Sequence, residues 1–243
     1  MQPERESGAS GYSYPPAVLG AAILTGMGQA RGAGRSFNQL AGTSLDRLAG
    51  ISDGIFAVGM TLLVLGLAVP ALSSSETNES GLARALAELG PNVLIYTMSF
   101  MTLGIFWVGQ GTQLSQLVRS NRHFVWLQLA FLFAVTLVPF STALLAHFPG
   151  LKLALVEYWL NIVLLGAMLL AGLEYGLRAH LFEETEQPDM ARLMRGRILI
   201  AQSLYAFATA LCLVFPTWVS IALIVLIQLN YVIAPRIPIL RRF

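Results

Sequence analysis

Residues 47–69 read RLAGISDGIFAVGMTLLVLGLAV. One acidic residue, Asp53, opens a run in which no charged side chain occurs before Glu76. A membrane-spanning helix needs about 20 predominantly apolar residues, and the segment from Asp53 to Leu72 supplies them. In hydrocarbon every backbone N–H and C=O must bond within its own segment, so the run reads as an α-helix. At 100° per residue, Val58, Leu62, Leu65 and Val69 fall within about 60° of one another, whereas Asp53 lies about 140° from Val58. The helix therefore carries one apolar stripe, with Thr61 on its border. From periodicity alone that stripe faces lipid or other helices. Gly54, Ala57, Gly59 and Gly66 are small enough to let neighbouring helices come close.

The rest of the chain repeats the pattern. Of its 243 residues 56% are hydrophobic and 12% charged, and the mean hydropathy is +0.67. Soluble domains carry roughly 25% charged residues, so this composition points away from an ordinary soluble enzyme, and it excludes a chain that is disordered throughout. A net charge of +2 gives no electrostatic case for nucleic acid. One cysteine excludes an intrachain disulfide framework and a cysteine-rich zinc site.

Further spans are expected at about 91–111, entered by an amphipathic turn from Leu82, and at 124–146, 153–177 and 198–215. A sixth follows Pro216 and runs to about Ala234. The fold class is all-α, with six transmembrane helices. Residues 43–235 form the six-helix transmembrane unit. Residues 1–42, rich in Gly, Ser and Ala, read as a disordered cytosolic tail, and residues 236–243 as a short basic one. Thirteen of the fifteen basic residues fall on one side of this layout, and only Arg84 and Lys152 on the other. The positive-inside rule then puts both termini in the cytoplasm of a multi-pass membrane protein.

Asp53 at a membrane helix calls for a partner, since a carboxylate at the midplane costs about 2.5–3.5 kcal/mol. Arg47 or a polar side chain from another helix can supply it. In the fourth span, Glu174 can pair with Arg178 at i+4, and Glu157 and Asn161 share the same spacing. No nucleophile–base pair, zinc motif or phosphate loop is present in the sequence, so no enzyme and no cofactor is expected.

The pattern Arg47-x-x-x-Ile51-Ser52-Asp53 resembles the R-x-x-x-F-S-D signature of the transmembrane protein 175 family, potassium channels of prokaryotic membranes and of animal endosomes and lysosomes. The likeness continues in YTMSF at 96–100, in IFWV at 105–108 including Trp107, in Trp126-Leu127, and in LVPFSTAL at 137–144. The resemblance implies a prokaryotic single-repeat member in the plasma membrane, a homotetramer in lipid bilayer that passes monovalent cations, with K+ as permeant ion. The first helix of each copy would line a central pore. The family's aliphatic constriction, carried onto this chain, is Val58 with Leu62 and Leu65 beyond it, and Thr61 bears on selectivity. Arg47, Ile51, Ser52 and Asp53 would brace that helix from behind, with Trp107 on the second span.

Three departures from the family pattern stand out. Ile51 replaces an aromatic residue, Val58 is smaller than the Ile or Leu usual at the constriction, which implies a wider or less selective ring, and Gly109-Gln110-Gly111 stands where Asn-His-His is common. Gln110 or Gln113 is expected to take over the hydrogen bonds of those histidines. The competing reading is a secondary transporter that uses Asp53 and Glu157 as proton or cation groups, although no three-plus-three repeat is visible in the sequence.

Overall fold

The computed structural model describes residues 45–75, 77–183 and 187–233, and the expected tails at 1–42 and 236–243 lie outside them. Helix α1, Leu45–Leu63, continues as a 3-10 turn, Val64–Gly66. It is followed by α2 (Glu79–Glu88), α3 (Gly90–Ser115), α4 (Arg122–Thr136), α5 (Val138–His147) and α6 (Lys152–Arg178). Helix α7 (Gln187–Ala210) ends in a 3-10 turn, and α8 is Thr217–Ile233. The described residues are thus helical apart from their connections and an isolated antiparallel bridge between Leu117 and Phe182.

Among the described residues, five segments are long and apolar enough to cross a membrane: Leu45–Gly66, Gly90–Ser115, Arg122–His147, Lys152–Arg178 and Asp189–Leu213. A sixth apolar helix, Thr217–Val232, is shorter. Three expected boundaries need correction. The first helix starts at Leu45, two turns before Asp53, and its regular part ends at Leu63. Its inward face is set by Leu48, Ser52, Phe56, Gly59 and Leu63, a helical spacing that begins upstream of the uncharged run. Val69 therefore lies past the end of the helix and is no part of its stripe. The fifth apolar helix starts at Gln187, so most of the charged stretch expected as loop is helical. The third span is broken at Leu137, because Pro139 stands at the start of α5 and has no N–H to continue α4.

Local chemistry accounts for the entries. The Asn78 side chain accepts from Gly81 N at 2.8 Å and starts α2, and Asn121 accepts from Phe124 N at 2.9 Å to start α4. The amphipathic lead-in expected from Leu82 is α2, which hands over to α3 at Leu89 with Pro91 in the first turn.

Helix α1 packs on α3, α4 and α5, and α6 packs on α4, α5 and α7; α8 lies on α3 and α7. Phe56 of α1, Phe106 of α3 and Phe131 of α4 meet in the main core, with ring centroids 6.1 Å apart for Phe56–Phe131 and 6.4 Å for Phe106–Phe131. A second cluster joins one end of the bundle: Leu48, Leu114, Leu117, Phe124, Leu173, Leu181 and Phe182. Arg47, Arg119, Arg122, Arg178, Arg192, Arg195 and Arg197 all belong to this end. At the opposite end Thr217 donates to Pro149 O at 2.6 Å and Lys152 to Leu213 O at 3.2 Å.

Candidate functional site

Helix α1 has two unlike faces. Leu48, Ser52, Phe56, Gly59 and Leu63 are buried against the bundle. Ile51, Val58, Leu62 and Leu65 are exposed by 48%, 56%, 45% and 76%. Thr61, also exposed, lies on the same face, and its hydroxyl donates back to Val58 O at 2.8 Å. That bond uses the hydroxyl proton and leaves lone pairs on the oxygen. An exposed apolar row on a helix this well packed behind is a surface without a partner among the described residues of the chain.

The acidic signature is tied to α3. Trp107 Nε1 donates to Asp53 Oδ1 at 2.8 Å. The expected partner of Asp53 is thus a polar side chain from another helix. Arg47 lies on the exposed side of the first turns of α1. One residue away, Ser52 is buried; its hydroxyl donates to Leu48 O at 2.8 Å and accepts from Gln110 Nε2 at 3.1 Å. The same amide nitrogen lies 3.1 Å from Gln128 Oε1 of α4. Gln110 is therefore the residue that meets the signature serine, where the sequence left Gln110 and Gln113 as alternatives. Gln113 turns to the backbone of α6 instead: with its amide oriented by its partners, the oxygen lies 2.7 Å from Leu173 N and the nitrogen 3.3 Å from Leu169 O. Gly172 makes room for both glutamines, since a Cβ there would lie 3.0 Å from the Gln113 side-chain amide and 3.1 Å from Gln128 Nε2.

A second polar network, not anticipated from sequence, crosses the middle of the bundle. Tyr158 OH of α6 lies 3.0 Å from Thr102 Oγ1 and 3.3 Å from Ser99 Oγ, both on α3. Thr142 of α5 is 2.8 Å from Ser99, and Gln228 Nε2 of α8 donates to Thr102 at 2.7 Å. All five side chains are buried. Each is unremarkable alone in an apolar run; the readable signal was Ser99 and Thr102 on one helical face. Lipid gives helices no hydrophobic reason to associate, so such bonds and close small-residue contacts hold them in register.

The carboxylates of the competing reading do not form one site. Asp53 sits near the arginine-rich end, and Glu157 in the first turns of α6 at the other. Asn161 bonds Ser141 Oγ at 3.1 Å, while Glu157 Oε2 has no partner among the described residues. The expected Glu174–Arg178 pair is replaced by one between helices: Arg195 Nε of α7 donates to Glu174 Oε1 at 2.6 Å. The extension of α7 toward its N-terminus places Arg195 beside α6.

The family model described as the endosomal/lysosomal potassium channel TMEM175 matches residues 47–139, from the signature arginine to the proline that opens α5. A potassium channel of Streptomyces collinus is 31% identical over 174 residues, covering 69% of this chain and 82% of that protein. A potassium channel of Chamaesiphon minutus is 38% identical over 102 residues, 42% of this chain and 49% of its own length. The crystal structure of a lysosomal potassium-selective channel TMEM175 homologue from Chamaesiphon minutus superposes with a TM-score of 0.67 at 24% identity, over 79% of this chain and 98% of that one, which establishes the fold. The Streptomyces relative is matched over most of its length, and the family model falls on the helix with the exposed stripe and on the helices that brace it: the chain belongs to the TMEM175 family, a family of ion channels and not of enzymes.

Proposed function

We propose that the protein is a potassium-permeable passive channel, built as a homotetramer of six-span subunits in a prokaryotic plasma membrane with both termini cytoplasmic. The observation that carries this reading is the exposed row Val58, Thr61, Leu62 and Leu65 on a helix whose other face is fully packed. Copies related by a closed rotational symmetry bring the same surface to a common axis. A ring of Val58 side chains, with Leu62 and Leu65 beyond it, then forms an apolar constriction that closes by dewetting and conducts when wider. Thr61 offers its remaining lone pairs beside that ring. Ser52 and Asp53, bonded to Gln110 and Trp107, hold the helix at its arginine-rich end, whereas Ile51 and Arg47 of the signature stand on its exposed side and do not brace it from behind. The names of the Streptomyces and Chamaesiphon relatives support potassium as the permeant ion. The segregation of arginines to one end supports the orientation.

Reconstitution into liposomes loaded with potassium tests the reading. The channel is expected to dissipate the gradient electrogenically and without proton movement. Saturable flux coupled to protons would instead establish the transporter reading.

A further inference from the structure

On the side of the bundle built by α7 and α8, whose main partners are α6, α3 and each other, a trench runs between four helices. Its cavity is about 90 Å³, and its walls are mainly apolar. Along α7 it is lined by Met194, Arg197, Ile198, Ala201, Gln202 and Tyr205, one helical face. At a rise of ~1.5 Å per residue, Met194 to Tyr205 spans about 16 Å. That is about half of a ~30 Å hydrocarbon core, the depth of one leaflet.

The arginine-rich end of the trench carries a built-in cation. Arg197 Nη2 donates to Tyr231 OH at 2.8 Å, and its guanidinium stands 5.2 Å above the Tyr231 ring. Arg197 makes no ion pair among the described residues, unlike Arg195, which Glu174 neutralises. Tyr231 OH accepts from the guanidinium and so keeps its own proton to donate. The guanidinium, with five N–H groups, has others free for a second acceptor. An apolar slot one leaflet deep, with a positive mouth offering two kinds of donor at headgroup level, matches an anionic lipid in charge and in length.

We propose that this trench binds an anionic glycerophospholipid, one acyl chain lying between α3, α6, α7 and α8 and the phosphate resting on Arg197 and Tyr231. The proposal rests on the chain being a membrane protein of this family and is independent of where the pore lies.

Native mass spectrometry of the detergent-purified full-length channel tests it, with phosphatidylglycerol and phosphatidylcholine titrated separately. Phosphatidylglycerol is expected to bind the more tightly. Arg197→Gln should weaken phosphatidylglycerol binding about fivefold and remove its advantage over phosphatidylcholine. Tyr231→Phe, which keeps the ring under the guanidinium, should reduce that advantage in part. Ala201→Phe, which fills the slot and leaves the mouth intact, should weaken both lipids. Arg192→Gln, outside the trench, should leave both unchanged. Equal binding of the two lipids to the wild-type protein overturns the proposal, as does binding indifferent to Arg197→Gln and Ala201→Phe. A trench already filled by protein, with no lipid retained, overturns it too. Intact potassium flux with no lipid preference would refute only the trench; lipid preference without flux would refute only the channel reading.

Discussion

A side chain in the membrane is judged by what it finds to bond. Asp53 finds Trp107 Nε1 at 2.8 Å on a helix more than fifty residues away, in a place where a bare carboxylate is costly. Both residues are partly open to their surroundings, so the bond is expected to contribute about 1 kcal/mol, below the value for a buried charged hydrogen bond. Asp53→Ala and Trp107→Phe should each lower the unfolding temperature of the purified channel, and the double variant should lose little more than the worse single one. Additive losses would mean that the two residues act separately. Gln110→Leu should be more severe, by about 1–3 kcal/mol, because it leaves buried Ser52 and Gln128 each short of a partner. Val58 faces the other way, and in the proposed channel it forms the constriction. Val58→Ala should raise conductance and reduce the preference for potassium over sodium in bilayer recordings, with folding untouched. Unchanged currents would remove Val58 from the constriction.

Between helices the deciding quantity is the distance of closest approach. Gly59 of α1 and Gly176 of α6 look alike in sequence but not in space. A Cβ at Gly59 would meet Leu103 Cδ1 at 3.6 Å and Val135 Cγ1 at 3.9 Å, ordinary contact. At Gly176 it would meet the ring of buried Phe182 at 2.6 Å. Gly59→Ala is therefore expected to keep or raise thermal stability, since alanine favours the helix by about 1 kcal/mol. Gly176→Ala should lower it by about 1–3 kcal/mol through overpacking. A destabilised Gly59→Ala would show that α1 lies closer to α3 and α4 than this structure has it. The contrast marks what the sequence can and cannot express. Hydropathy finds the apolar segments because lipid imposes one length and one polarity on all of them. It misplaces the start of α1 because a helix continues past the hydrocarbon wherever its inner face still packs, as Leu48 does. The stripe of Val58, Leu62 and Leu65 follows from local angles and is present on α1 and the 3-10 turn that continues it, whereas Val69 fails because that turn ends at Gly66. Partners such as Trp107 for Asp53, Gln110 for Ser52 or Arg195 for Glu174 depend on which helices meet, and periodicity along one segment does not contain that.

For the whole molecule the question is whether one chain or several make the passage. The inner face of α1 is occupied by its own bundle, and the outer face has nothing opposite it among the described residues of the subunit. A pathway that uses Val58 must then be bounded by Val58 of other copies, and every copy must contribute. This has a quantitative consequence. Val58→Trp places a large ring at the constriction, so a complex containing even one such subunit should be plugged. If wild-type and Val58→Trp chains are co-expressed equally and mix freely, only complexes of four wild-type subunits conduct, about one sixteenth of the total for four-fold closed symmetry. Flux per complex in liposomes should fall to that level, and across mixing ratios it should follow the fourth power of the wild-type fraction. A decline in simple proportion, with half the flux left at equal mixing, would mean that each subunit carries its own passage. The exposed row on α1 would then be a surface turned to lipid, and the passage would have to run through the interior of the bundle, past the Ser99–Thr102–Tyr158 network that now holds its helices together.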